Sequence, residues 1–364
     1  MTETGAVPES IVPRGRLGVT DQMQSHLDFF GLREQPFAPT ADPVYFYATQ
    51  EHKECLFRLW SSIDQRHGIA VVLGNYGTGK TTLLRKIMTG MAADPERYNT
   101  AVIGSPIPSW TSFALLESIV AQFNLRPAHT SFVAYMDALN QYLLASRNQV
   151  STLIIDDAQN LNKRGQLELL RLVQNLETHQ HKLLNLVLFA QLEWLQVLQA
   201  APNFEQRINM TFTLQPICYE ETQHFVEFRL RQAGSQQGHG PQFDAGAIRA
   251  IHGYAEGNPR VIVTLCRNAL LVASQIRTRL IGRDIILHTI DKTTVPDRAR
   301  RARAVAAAIT DAGAPPIPEG GSAAVPRRPQ PAPTAPGATA SGRDARASRL
   351  LLKELRTPPG QVNA

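Results

Sequence analysis

Apolar and polar positions follow two rhythms along most of the chain. Five short apolar runs, IAVVL (69–73), TAVIG (100–104), STLIID (151–156), LLNLVLFA (183–190) and MTFTLQ (210–215), carry many β-branched residues, as strands of a parallel sheet do. Between them apolar residues recur at helical spacing. Such stretches open at TTLLRKIMTGM, occur twice within 111–147, cover 164–178 and recur near 191–200. EHKECLFRLWSSIDQR (51–66) precedes the first run and places Cys55, Leu56, Leu59, Trp60 and Ile63 on one helical face. This alternation predicts an α/β fold, a five-stranded parallel sheet with helices on both faces. From Glu220 to about Lys292 only helical patterns occur, which predicts a smaller α-helical domain.

The ends read differently. Residues 1–25 are polar and without period, and an aromatic entry, FFGLREQPFAPTADPVYFY (29–47), contains prolines that forbid a long helix. Residues 296–342 are rich in Ala, Pro, Gly and Arg, the composition of a linker that builds no core. RASRLLLKELR (346–356) follows, a Leu cluster that turns helical against a partner or stays a solubilising end. The expected division is a flexible 1–26, a core over 27–218, a helical domain over 219–295 and a disordered tail over 296–364.

Composition adds one correction to that picture. The whole chain of 364 residues carries a net charge of +6. Residues 301–364 hold nine Lys/Arg and four Asp/Glu, so +5 belongs to the tail and +1 to the body. A nearly neutral body argues against a large sequence-blind nucleic-acid face. Cys55, Cys218 and Cys266 are far apart, each among apolar residues, and read as core thiols in a reducing compartment. The N-terminus lacks the basic start and apolar core of a signal peptide, and no apolar stretch is long enough to span a bilayer. Those features point to a cytoplasmic protein without membrane insertion.

The chemistry starts at GNYGTGKT, Gly74 to Thr81, which fits G-x-x-x-x-G-K-[ST] directly after an apolar run and at the start of a helix. Gly74, Asn75, Tyr76, Gly77, Thr78 and Gly79 form a loop whose N–H groups turn around phosphate oxygens, with Thr82 in the first helical turn. Lys80 reaches the β- and γ-phosphates, and the Thr81 hydroxyl suits Mg²⁺. ATP with Mg²⁺ is the expected ligand. TLIIDDAQNL (152–161) then ends a buried run on two acids, which is costly unless a cation or a reaction needs them. Asp156 sits where an acid holds the magnesium shell, and Asp157 where a second acid orients the attacking water. Asp157 as a helix N-cap or loop acid is the alternative. His179 and His181 form an H-x-H pair in a polar connection, read as a solvated loop.

With these motifs in place, the chain resembles the AAA+ ATPases of the general secretion pathway protein A (ExeA-like) family over about residues 27–292. The resemblance rests on the aromatic entry, EHKECL, GNYGTGKTTLLRKI, LIIDDAQNL, LVLFAQLEW, FEQRIN and GNPRVIVTLCRNALL. It implies a P-loop core with a helical lid, working as a homo-oligomer with nucleotide between subunits. It implies that Gln191 is a sensor-1 residue near the γ-phosphate, that Arg207 is an arginine finger for a neighbouring subunit, and that Arg260 is a sensor 2 on the lid. The open alternatives are a strand-end cap for Gln191, a surface ion-pair former for Arg207 and a helix cap for Arg260. The aromatics Phe30, Phe37, Tyr45 and Phe46 either line an adenine pocket or pack in the core.

Two departures from the family are visible. Its second acid is typically Glu where this chain has Asp157, and its secretion members continue into membrane and peptidoglycan-binding regions, so a soluble form is expected here. The resemblance implies an ATPase that couples nucleotide state to assembly of a secretion or pilus-type complex, with a protein partner engaged through the C-terminal tail. The alternative is an ATP-dependent DNA-binding regulator of transposition, with DNA as partner.

Overall fold

Five parallel strands lie in the order β2–β3–β4–β1–β5, with β1 at Ile69–Gly74, β2 at Tyr98–Ile103, β3 at Val150–Ile155, β4 at Leu184–Ala190 and β5 at Ile208–Leu214. The computed structural model describes residues 26–40, 42–235 and 240–293, all within one compact unit. The expected flexible start, apart from His26, and the expected tail with its Leu cluster lie outside the described residues.

Both faces of the sheet are covered, and the pleat decides which side chain goes where. On β1, Ile69, Val71 and Leu73 join the core under helices Ser112–Gln122, Phe132–Ala145 and Arg164–Gln174. Ala70 and Val72 join the opposite core, under helices Gln50–Asp64 and Lys80–Ala92. This period of two, with apolar residues on both sides, explains why the strands read as continuous apolar runs. The strand boundaries expected from sequence hold to within two residues, because each run ends where one face of the sheet ends.

Past β5, helices Tyr219–Gln232, Ala245–Ala255, Pro259–Gln275 and Arg283–Thr293 pack together. The all-helical expectation for this region needs one correction. Gln242–Phe243 and Leu280–Ile281 pair as a two-stranded parallel ladder, β6 with β7. Two residues are too few to leave a strand period in the sequence. A second correction concerns the thiols: Cys55 and Cys266 are buried, but Cys218 is exposed. It occupies the N-cap of helix Tyr219–Gln232, where the chain leaves the sheet. Among the described residues no helix is long and apolar enough to cross a membrane.

A buried amide joins the sheet to the helix before it. Asn185 on β4 is 3% exposed; its Nδ2 donates to the Ile63 carbonyl at 3.0 Å, and its Oδ1 accepts from the Gly68 N–H at 3.2 Å. Asn185→Leu keeps the volume and abandons both groups. An unsatisfied buried group costs about 1–3 kcal/mol, so a loss of that order is expected in urea denaturation. An unchanged midpoint would contradict this role.

Candidate functional site

The strand order creates the site. The chain leaves β1 for the far edge strand β2, and later leaves β4 for β5 on the other side of β1. β1 and β4 therefore flank the point where connections diverge, and a crevice opens beyond their C-terminal ends. Three sequence segments meet there: the loop after β1, the two acids after β3 and Gln191 after β4.

The loop after β1 wraps the start of helix Lys80–Ala92, whose N-cap is Gly79; no side chain caps that end. Unmatched N–H groups at a helix start suit an anion. Gly77 and Gly79 have φ of +84° and +100°, a region costly for residues with a Cβ. A Cβ on Gly77 would also come within 2.4 Å of Asn258 Oδ1. Lys80 is 8% exposed, and its ammonium donates to the Gly74 carbonyl at 2.8 Å and the Asn75 carbonyl at 3.0 Å. Burial lowers its pKa, while Asp156 and Asp157 pull in the opposite direction.

Asp156 is 6% exposed. Its Oδ2 accepts from the Thr81 hydroxyl at 2.8 Å and its Oδ1 from the Asp157 N–H at 3.0 Å. Burial raises its pKa, and these two bonds oppose that rise. A buried carboxylate paired with a hydroxyl is an all-oxygen set of the type hard divalent cations take. The fit to Mg²⁺ is good. Asp157 precedes the short turn Ala158–Asn160 in a left-handed conformation, φ 49° and ψ 39°, and its side chain makes no cap bond there. It lines the cleft instead.

Sequence reasoning missed four residues around these groups. Gln159 Nε2 donates to Asp157 Oδ1 at 2.9 Å, and its Oε1 accepts from the Gln191 N–H at 3.1 Å. A backbone N–H can only donate, so this orientation of the amide is the consistent one. The Asp157 carboxylate is thereby tied to the end of β4. His52, 5% exposed, supports the loop from below: its Nε2 donates to the Thr78 carbonyl at 3.3 Å and its Nδ1 accepts from the Thr49 hydroxyl at 2.6 Å. Asn258 caps helix Pro259–Gln275 through Oδ1 and donates from Nδ2 to the Tyr76 carbonyl at 2.7 Å. Arg229 lines the cleft from helix Tyr219–Gln232. Only Asn258 had a local signal, an Asn directly before a first-turn Pro; the others depend on partners distant in sequence.

The residues singled out from sequence separate clearly. Gln191 and Arg260 line the same cleft as Tyr76–Thr82 and Asp157. Arg260 lies 4.6 Å over the Tyr76 ring, while Asn258 does the helix capping. Arg207 does not join them. It is exposed, just before β5, at the opposite end of the sheet from Gly74, and strand geometry puts it roughly 20 Å away. Among the described residues no ion pair holds its guanidinium. The aromatic entry divides: Phe30 and Phe37 are core, 1% and 0% exposed, whereas Tyr45 and Phe46 line the cleft. His179 and His181 lie on a polar connection bridged by Glu177 and Lys182. Among the described residues no cluster of three His, Cys, Asp or Glu side chains is arranged for a metal.

The His52 arrangement makes a pH prediction. Burial lowers the imidazole pKa from its ordinary 6.5, so the folded state favours neutral His52. Its contribution is full above pH 6.5 and is lost as pH falls through the lowered value. The slope cannot exceed about 1.4 kcal/mol per pH unit. Thermal melts at pH 7.5 and 5.5 are expected to show a smaller acid loss in His52→Gln than in the wild type; equal losses would contradict the assignment.

The comparisons agree with this geometry. A family model described as AAA domain matches residues 63–198. General secretion pathway protein A of Aeromonas hydrophila is 34% identical over 253 residues, covering 68% of this chain and 45% of that protein. The chain thus spans less than half of that relative's length. Cdc6p from Pyrobaculum aerophilum superposes with a TM-score of 0.53 at 19% identity, over 71% of this chain and 70% of that one. The ORC2 protein of Aeropyrum pernix, in ADPNP-ADP complexes, gives 0.51 at 17%, over 68% and 71%. These two likenesses are of fold alone. The chain thus carries an AAA domain over residues 63–198 and is related, over 253 residues, to general secretion pathway protein A.

Proposed function

We propose that this protein binds ATP with Mg²⁺ in the cleft beyond β1, β3 and β4 and hydrolyses it in a homo-oligomer. Its nucleotide state is then coupled to assembly of a partner complex of the secretion or pilus type. The observation that carries the catalytic reading is the bonded row Thr81–Asp156–Asp157–Gln159–Gln191, which joins three strand ends beside the phosphate loop.

Each residue has a role that its position permits. The N–H groups of Gly77–Thr82 and the Lys80 ammonium hold the phosphates. Thr81 and Asp156 hold the magnesium, which when bound neutralises charge on the phosphate oxygens. Asp157 accepts the proton of the attacking water. One of its oxygens is held by Gln159, so the other keeps a fixed position despite a side chain one methylene shorter than Glu. Gln191 and Arg260 approach the phosphates from β4 and from the lid. Arg207, on the far side of its own subunit, serves the site of a neighbour, and arginine fingers contribute on the order of 10³–10⁵ in rate. The coupling to secretion or pilus assembly rests on the relationship to general secretion pathway protein A.

Hydrolysis per subunit is expected to climb with protein concentration. Arg207→Ala and Asp157→Asn are each expected to be inactive alone and to regain partial activity when mixed, because a mixed interface restores one intact pair. No recovery on mixing, with both variants folded and oligomeric, would contradict a finger supplied in trans. Stimulation by duplex DNA that fades steeply with salt would move the partner from protein to DNA.

Gln159→Ala is expected to lower kcat by roughly 10–100-fold with little change in KM, since small misplacements of a reacting group cost rate. An unchanged kcat would mean that the Gln159 bond does not position the water-orienting acid.

A further inference from the structure

The phosphate-loop pattern leaves the position of Tyr76 open to any residue, and the mechanism above gives its side chain no role. The ring is 60% exposed, so core packing does not account for it. It is nonetheless engaged. The Arg260 guanidinium lies 4.6 Å from the ring centroid, inside the range of about 6 Å in which an aromatic face attracts a cation. Both residues line the cleft that also holds Lys80, Thr81, Asp157 and Gln191.

The contact offsets a difficulty in the placing of Arg260. This residue stands in the first turn of helix Pro259–Gln275, a turn that contains no acid, and the positive end of a helix disfavours a cation. Among the described residues no ion pair engages its guanidinium. A long exposed side chain without a partner spreads over many rotamers, and ordering it on a ligand costs entropy. The Tyr76 ring selects one arrangement in advance. The backbone brings the two side chains together: Asn258, two residues before Arg260, donates from Nδ2 to the Tyr76 carbonyl at 2.7 Å. Gly77 permits that approach, since a Cβ there would come within 2.9 Å of the Arg260 Cβ. The guanidinium is therefore held beside the loop, next to the N–H groups assigned to the phosphates.

We infer that the Tyr76 ring is a positioning group for Arg260, holding its guanidinium at the phosphate loop so that it meets the terminal phosphate of ATP already ordered. The inference rests on the nucleotide reading of the site, in which Arg260 approaches the phosphates. It adds a device that separates ATP from ADP, because an ordered Arg260 favours only the ligand that carries the phosphate it reaches.

Competition binding of ATP and ADP in Mg²⁺, on the full chain, tests it. Arg260→Ala is expected to lower the ratio of ATP to ADP affinity. Tyr76→Leu is expected to lower the same ratio by about threefold, the worth of an exposed contact between a cation and a ring. Tyr76→Phe restores the ring face and with it the wild-type ratio. In an Arg260→Ala background, Tyr76→Leu is expected to change nothing further. Because the ring is exposed, neither substitution at Tyr76 removes core packing. An unchanged ratio in Arg260→Ala would remove the reading of Arg260 as a phosphate contact, and the inference with it. If Arg260→Ala behaves as expected, three results overturn the role of Tyr76 alone: a wild-type ratio in Tyr76→Leu, a Tyr76→Phe protein as impaired as Tyr76→Leu, or a loss in Tyr76→Leu that persists in full when Arg260 is replaced.

Discussion

The carboxylate of Asp156 is the constraint on which the rest of the site depends. It lies buried at the end of β3, and burial alone pushes its pKa up. The Thr81 hydroxyl and the Asp157 N–H oppose that cost. The second donor is the next residue in the chain; the first is in place because β3 ends next to β4, β4 lies next to β1, and the loop after β1 leads into the helix that carries Thr81. The sheet order is therefore not a neutral scaffold. It converts three segments separated by dozens of residues into one bonded row.

A second set of contacts joins the phosphate loop to the helices after β5. Asn258 caps its own helix with one atom and holds the Tyr76 carbonyl with another. Arg260 lies on the Tyr76 ring, and His52 carries the Thr78 carbonyl from the opposite side. The loop is held by a helix before the sheet and by a helix after it. The helices after β5 therefore touch the loop directly at Tyr76 and Gly77.

Much of this was legible in the sequence, for reasons that differ by residue. The five strands were readable because burial on both faces leaves unbroken apolar runs, and the phosphate loop because its geometry demands glycines at fixed offsets. The acids at 156 and 157 stood out because carboxylates rarely end a buried strand without cause. Gln159, His52 and Arg229 were not readable. Each acts through a partner brought near only by the fold: Gln159 through the end of β4, His52 through a carbonyl 26 residues on, Arg229 through Tyr45 on a segment before the sheet. The β6–β7 ladder escaped because two residues carry no period. Cys218 misled because its apolar neighbours suggest burial, although it occupies a helix cap at the surface.

The central claim is that the loop from Gly74 to Thr82 holds the phosphates of ATP, with Thr81 and Asp156 holding magnesium beside them. Calorimetric titration of ATP in Mg²⁺ and in EDTA, on the wild type and Lys80→Ala, tests this most directly. The account predicts that wild-type affinity falls on removal of Mg²⁺ and that Lys80→Ala loses nearly all binding. ATP bound equally well by both proteins, with no dependence on Mg²⁺, would contradict it.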